Sequence, residues 1–293
     1  MPLTSFKLPS KRYLQPMLMG VTLVVLILLI NATHNPLVSS IQERLEGMFY
    51  DARMRYFLPD TVEHDPRIVI IDIDDKSLSE VGRWPWPRVE IAKLINKLAS
   101  HTPAVIGLDI MFTEPELSPL DQLLKEASND FRNNNITEEI KQMNAKLDGD
   151  VQLSSAFLNN TVVLGYSLAT NKESSSGVLP EPALTLTQKQ KDNLKLGQMF
   201  GYLGNLSKFQ APAAGAGFVF VKPDDDGIIR WANMVLRYED QVYPSLSLAI
   251  MQQYMGMAAV ELITAEDTDG FPTMEGISLE GILNINTDPY GRV

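Results

Sequence analysis

The sequence predicts an α/β fold: a mixed sheet with a parallel βαβ core covered by helices, preceded by one transmembrane helix. Three observations carry this reading. Pro16 to Ile30 is a long apolar run without a charge. Two further apolar runs, Ile68-Val-Ile-Ile71 and Ala104-Val-Ile-Gly-Leu108, are nearly continuous, as strands covered on both faces are. Between them Ile91, Leu94, Ile95 and Leu98 fall on one helical face. Strand, helix and strand with a short return at His101–Pro103 form a βαβ unit, whose strands are parallel.

Composition bounds the function. With 293 residues, 45% of them hydrophobic and 21% charged, the chain can bury a sizeable core. A net charge of -11 argues against a nucleic-acid partner, because phosphate binding needs a basic surface. The absence of Cys removes disulfides, thiolate nucleophiles and Cys-ligated zinc. The three His, at 34, 64 and 101, offer no pair at ligand spacing.

In chain order, residues 1–12 read as a cytoplasmic tail. Residues 13–32 then have about the length needed to cross a bilayer as a helix. Lys7, Lys11 and Arg12 precede that span and no basic residue follows it until Arg44, which places the remainder outside. The competing reading is a signal peptide cleaved near Ile30-Asn-Ala32; both readings export the body. Residues 33–60 form a membrane-proximal amphipathic segment, with Leu37, Ile41, Leu45, Met48, Phe49 and Ala52 on one face. This helix either packs on the body or conducts a signal while pairing with a second chain, which makes a homodimer an expectation.

Residues 61–293 form the exported body. Helices are expected from Ser118 and from Ile136, and a third is expected to be capped by Asp150 and to run through Phe157. Thr161 to Tyr166 reads as a buried strand. Phe218 to Val221 and Ile228 to Tyr238 read as a hairpin about Pro223-Asp-Asp-Asp-Gly227. Pro244 to Gly256 is a largely apolar helix, and Ile277–Leu279 with Ile282–Ile285 is a final hairpin about Glu280-Gly281. The stop soon after a turn, at Val293, reads as part of a longer protein.

Asp72, Asp74, Asp75, Asp109 and Glu114 collect at expected strand ends, where open α/β sheets bind ligands. Such carboxylates could take Mg²⁺ or Ca²⁺, receive a polar small molecule, or serve as acid and base in hydrolysis. The plainer reading has them capping helices and pairing with Arg. Trp84-Pro-Trp-Pro-Arg88 is a stiffened loop: its Trp pair either fills the core or walls a ligand, with Arg88 pairing a carboxylate or an anion. Ser77 has no base evident in sequence, and no nucleophile elbow or phosphate loop is present.

The ordered set Leu45-Glu46, Tyr50-Asp51-Ala-Arg53, Val69-Ile-Ile-Asp-Ile-Asp-Asp75 with Ser77 and Gly82, Trp84-Pro-Trp-Pro-Arg88 and Ile106-Gly-Leu-Asp-Ile110 with Phe112, Glu114 and Pro115 resembles the CHASE domain of type two. Asp150, Val162-Val-Leu164, Pro223-Asp224, Asp226-Gly227, Arg230 and Pro244-Ser-Leu246 continue the resemblance. Residues 117–149 stand apart as an insertion. The resemblance implies a periplasmic or extracellular ligand sensor on the bacterial inner membrane. Its output would be an adenylate or guanylate cyclase, or else a histidine kinase, Ser/Thr kinase or diguanylate cyclase, none of which is encoded in these residues. An exported metal-dependent hydrolase and a passive scaffold are the readings from other classes.

Overall fold

The computed structural model describes residues 11–32, 36–58, 65–116, 148–172, 175–224, 226–266 and 270–293. The expected helices from Ser118 and Ile136 lie outside these residues. The chain divides into two units, one running up to Ile71 and including Asp224–Ile228, the other Asp72–Pro223 with Ile229–Val293.

The first unit carries two long helices, α1 (Lys11–Ala32) and α2 (Pro36–Phe57). The described side chains of α1, Gln15 to Val25, are exposed. Among the described residues no helix is long and apolar enough to cross a membrane. On α2, Ile41, Leu45, Met48 and Phe49 are all exposed.

The expected strand at Ile68–Ile71 does not form. These residues lie outside any strand, and their side chains are open to solvent, Ile70 to 88%. Continuous apolar character identifies residues that want cover. It does not name the ladder partner that would supply it.

The second unit opens with two helices, α3 (Asp75–Val81) and α4 (Arg88–Ala99). Ile91 and Ile95 of α4 are buried, as the helical spacing predicts, Leu94 and Leu98 of the same face are half-buried, and Ala92 is buried beside them. The strand β1 (Ile106–Leu108) follows, and later α5 (Gly149–Leu158) and β2 (Val162–Ala169). β1 pairs in parallel with β2, Ile106 opposite Val162 and Leu108 opposite Leu164. A parallel core therefore exists, with α5 rather than α4 in its crossover.

Next come β3 (Ser175–Ser176), β4 (Leu184–Thr185), α6 (Gln188–Asn193), β5 (Gln198–Met199), β6 (Gly201–Leu203), α7 (Ser207–Gln210) and β7 (Gly215–Phe218). β7 joins the other side of β2 in parallel, while β6 pairs antiparallel with the far end of β2 and parallel with β3. The mixed sheet is thus centred on β2, whose residues Val162 to Tyr166 are all buried.

The strands β8 (Val235–Tyr238) and β9 (Gln241–Pro244) lead to the helix α8 (Leu246–Tyr254). The expected hairpin about Pro223–Gly227 is corrected here. Gly227 does turn the chain, donating to Asp224 O at φ 81, but β7 pairs with β2 and β8 pairs with β9 across Glu239-Asp240. The Asp-rich turn signal was sound; the pairing was set by β2, which buries β7 on a sheet the local pattern cannot see. A last sheet joins β10 (Val260–Glu266), β11 (Pro272–Leu279) and β12 (Leu283–Asn286). Its β11–β12 hairpin turns at Glu280-Gly281 as expected, both with positive φ.

Close packing of β7 on α8 makes Gly217 a sensitive position. A Cβ there would lie inside van der Waals contact of Leu246 Cα and N and of Ser245 O, all backbone. Gly217→Ala is expected to cost about 2–3 kcal/mol by overpacking, read as a lower urea midpoint at unchanged slope.

Candidate functional site

The motif Trp84 to Arg88 enters the fold between α3 and α4. The Trp84–Pro85 bond is cis, and the Trp rings meet edge to face at 5.9 Å. Trp86 is buried and its Nε1–H donates to Gly82 O at 2.8 Å, while Trp84 stays partly exposed. One Trp therefore fills the core. Pro87 stands at the cap of α4, where a lost N–H costs little, and Arg88 is the first helical residue.

Arg88 is the centre of a compact charged knot. Its backbone N–H donates to Glu116 Oε1 at 3.0 Å and its side chain donates to Glu114 O at 3.2 Å. Its Nε lies 3.6 Å from Asp150 Oδ1 and its guanidinium carbon sits 4.6 Å from the centre of the Phe112 ring. Asp150 also pairs with Lys208 Nζ and accepts from the Glu116 backbone N–H at 3.2 Å. Beneath the charges lie Phe112, Phe157 and Phe209, with ring centres 5.3 to 6.0 Å apart. The knot ties α4, α5, α7 and the chain after β1 together.

This arrangement corrects one expectation. Asp150 does not cap its helix; Asp148 does, accepting from the N–H groups of Asp150 and Val151. Asp150 is thereby released to meet two cations, its side chain only 4% exposed. Arg88 does pair a carboxylate as expected, but that of Asp150 rather than one of the strand-end acids. Glu116, Lys208 and Phe209 complete the knot and went unnoticed in sequence, since nothing local links residues 88, 116, 150 and 208.

The remaining candidate residues take separate roles. Asp74 caps α3, accepting from Ser77 N at 2.8 Å and Ser77 Oγ at 2.7 Å, and these bonds hold its carboxyl below its ordinary pKa. Ser77 thus serves the cap. Asp72 and Asp75 are exposed, Asp109 is exposed just after β1, and Glu114 contributes its backbone carbonyl to Arg88. With Ile68–Ile71 outside any strand, Asp72 and Asp74 do not stand at a strand end. Among the described residues no group of three or more acids or His is placed to hold a metal ion.

A second set of polar groups is built from four tyrosines. Tyr166 of β2 meets Tyr243 of β9 edge to face at 6.4 Å, and Tyr202 of β6 meets Tyr238 of β8 at 5.5 Å. Burial pushes the Tyr166 phenol well up and, with Glu239 beside it, pushes Tyr243 up to about 12. Both groups favour the protonated form in the fold. Stability they contribute is complete below the unfolded phenol value near ~10. It is lost as pH rises towards about 12, because the unfolded chain sheds protons the fold retains. Alkaline titration is expected to show delayed tyrosinate absorbance in the native protein, rising together with unfolding, with the delay shortened in Tyr243→Phe.

The family model described as the CHASE2 domain matches residues 21–292 of the chain. No curated protein and no solved structure matches the chain. The match takes in both Trp residues of the loop, the Arg88 knot and the tyrosine set, and the chain belongs to the CHASE2 domain family, extracellular sensory domains of signalling receptors.

Proposed function

We propose that this chain is the extracytoplasmic input of a transmembrane receptor that controls a nucleotide cyclase, adenylate or guanylate, by ligand-dependent repacking of membrane helices. The family match over residues 21–292 carries the reading. A charge-free run from Pro16 to Ile30, with Lys7, Lys11 and Arg12 before it and no Lys or Arg after it until Arg44, supports an inner-membrane anchor with the body outside. Exposed Ile41, Leu45 and Met48 on α2, with Ala52 next in line, follow the four-three-four spacing of a two-stranded seam. That spacing supports a homodimer, the arrangement in which a cyclase or kinase output is brought together. Kinase and diguanylate cyclase outputs are the alternatives within the same class.

Two measurements test this. A fusion of alkaline phosphatase after Val293, active only when exported, is expected to be active. A cytoplasm-dependent reporter fused there instead would overturn the topology by fluorescing. Membranes carrying the complete gene product are expected to form cyclic nucleotide from ATP or GTP, at a rate that changes when residues 65–293 are deleted. Phosphorylation of a histidine or formation of cyclic diguanylate would redirect the output, and none of these activities would end the receptor reading.

A further inference from the structure

Where β5, β6 and the β8–β9 turn meet, the second unit forms a cleft of about 430 Å³ lined by Lys172, Ser175, Met199, Phe200, Tyr238 and Glu239. That size lies at the small end of the range that small-molecule pockets occupy. The floor is apolar and aromatic: Met199 is buried, and the Tyr238 ring is braced by Tyr202. Phe200 is half exposed between β5 and β6, an apolar side chain left uncovered in the cleft. Lys172 and Glu239 are exposed, and neither forms an ion pair with a described residue.

We propose that this cleft binds a small zwitterion with an apolar side group, an α-amino acid being the simplest. Glu239 receives the ammonium, which also lies over the Tyr238 and Phe200 faces, where a cation is attracted by the ring quadrupole. Lys172 receives the carboxylate, and the apolar group covers Phe200 and Met199. A ligand with one charge leaves one of the two rim residues unanswered. The assignment deepens the sensory reading and rests on it.

The test uses the full chain in detergent, with thermal shift and calorimetry against the standard amino acids. L-phenylalanine is the reference probe, and phenethylamine and phenylacetate are its single-charge fragments. At least one apolar amino acid is expected to raise the melting temperature at millimolar concentration, each fragment binding more weakly. Glu239→Gln is expected to weaken the amino acid and phenethylamine roughly five- to tenfold, leaving phenylacetate unchanged. Lys172→Gln is expected to weaken the amino acid and phenylacetate by a similar factor, leaving phenethylamine unchanged. No shift with any amino acid, or binding that ignores both substitutions, overturns the proposal. Binding that shows this split but leaves the receptor's output unchanged preserves the site and ends the sensory reading instead.

Discussion

Asp150→Ala is expected to destabilise the second unit by about 3–5 kcal/mol, the cost of leaving a buried charge uncompensated. The Asp150 side chain is 4% exposed and the Arg88 side chain 15%, against 44% for Lys208. Removing the carboxylate therefore strands Arg88 above the Phe112 ring, where water reaches it poorly, while Lys208 can turn out to solvent. The Glu116 backbone N–H also loses its acceptor. Asp150→Asn keeps an oxygen for that N–H but not the charge, so it is expected to recover only part of the loss. Lys208→Ala is expected to cost about 1 kcal/mol or less, as exposed ion pairs do. Urea unfolding of the three variants checks the order. Molar salt should shrink the Lys208 effect and leave that of Asp150 standing, because a buried pair is screened far less. An Asp150→Ala loss as small as that of Lys208→Ala would mean the knot is ornamental.

The same residues show what was legible in the sequence. Spacing placed α4, which buries one face against a core; continuous apolar character placed β2 and α8, and the Glu280-Gly281 turn placed the β11–β12 hairpin. Of the two readings open for Trp84-Pro-Trp-Pro-Arg88, the structure takes the plainer one, with Trp86 in the core and Arg88 beside a carboxylate. Sequence pattern failed where the partner decides. Ile68–Ile71 has the composition of a buried strand but no ladder to join, and β7 was joined to β8 when its partner is β2. Asp150 looked like a helix cap because caps are what Asp usually does at that position. Asp148, two residues earlier, takes the cap and changes the meaning of Asp150. Candidate acids were grouped on the premise of two neighbouring strand ends, and only β1 is a strand. The tyrosine cleft was invisible, because residues 172, 199, 200, 238 and 239 converge only after two sheets have formed.

Asn205→Leu is the other large loss, expected at about 3 kcal/mol and bounded by two unpaired buried backbone groups at ~1–3 kcal/mol each. Asn205 is fully buried between β6 and α7. Its Oδ1 accepts from Phe112 N at 2.7 Å and its Nδ2 donates to Gly165 O at 3.0 Å. One side chain thus ties the aromatic triad under the charged knot to the central strand β2. Leucine matches the volume but leaves the N–H of Phe112 and the C=O of Gly165 facing apolar atoms. Asn205→Asp separates the hydrogen bonds from the shape. At neutral pH the introduced carboxylate still accepts from Phe112 but repels the Gly165 carbonyl and carries a buried charge, so stability falls at least as far. Burial raises the folded pKa of that carboxyl above its unfolded value near ~4. Its protonated form donates to Gly165 O, so stability returns as pH falls through the folded value and is complete below the unfolded one. Urea unfolding across this pH range, read beside hydrogen exchange at the Phe112 amide, checks both halves. Slow exchange at Phe112 in Asn205→Leu, or no recovery in acid for Asn205→Asp, would show that the two backbone groups find other partners and that Asn205 only fills space.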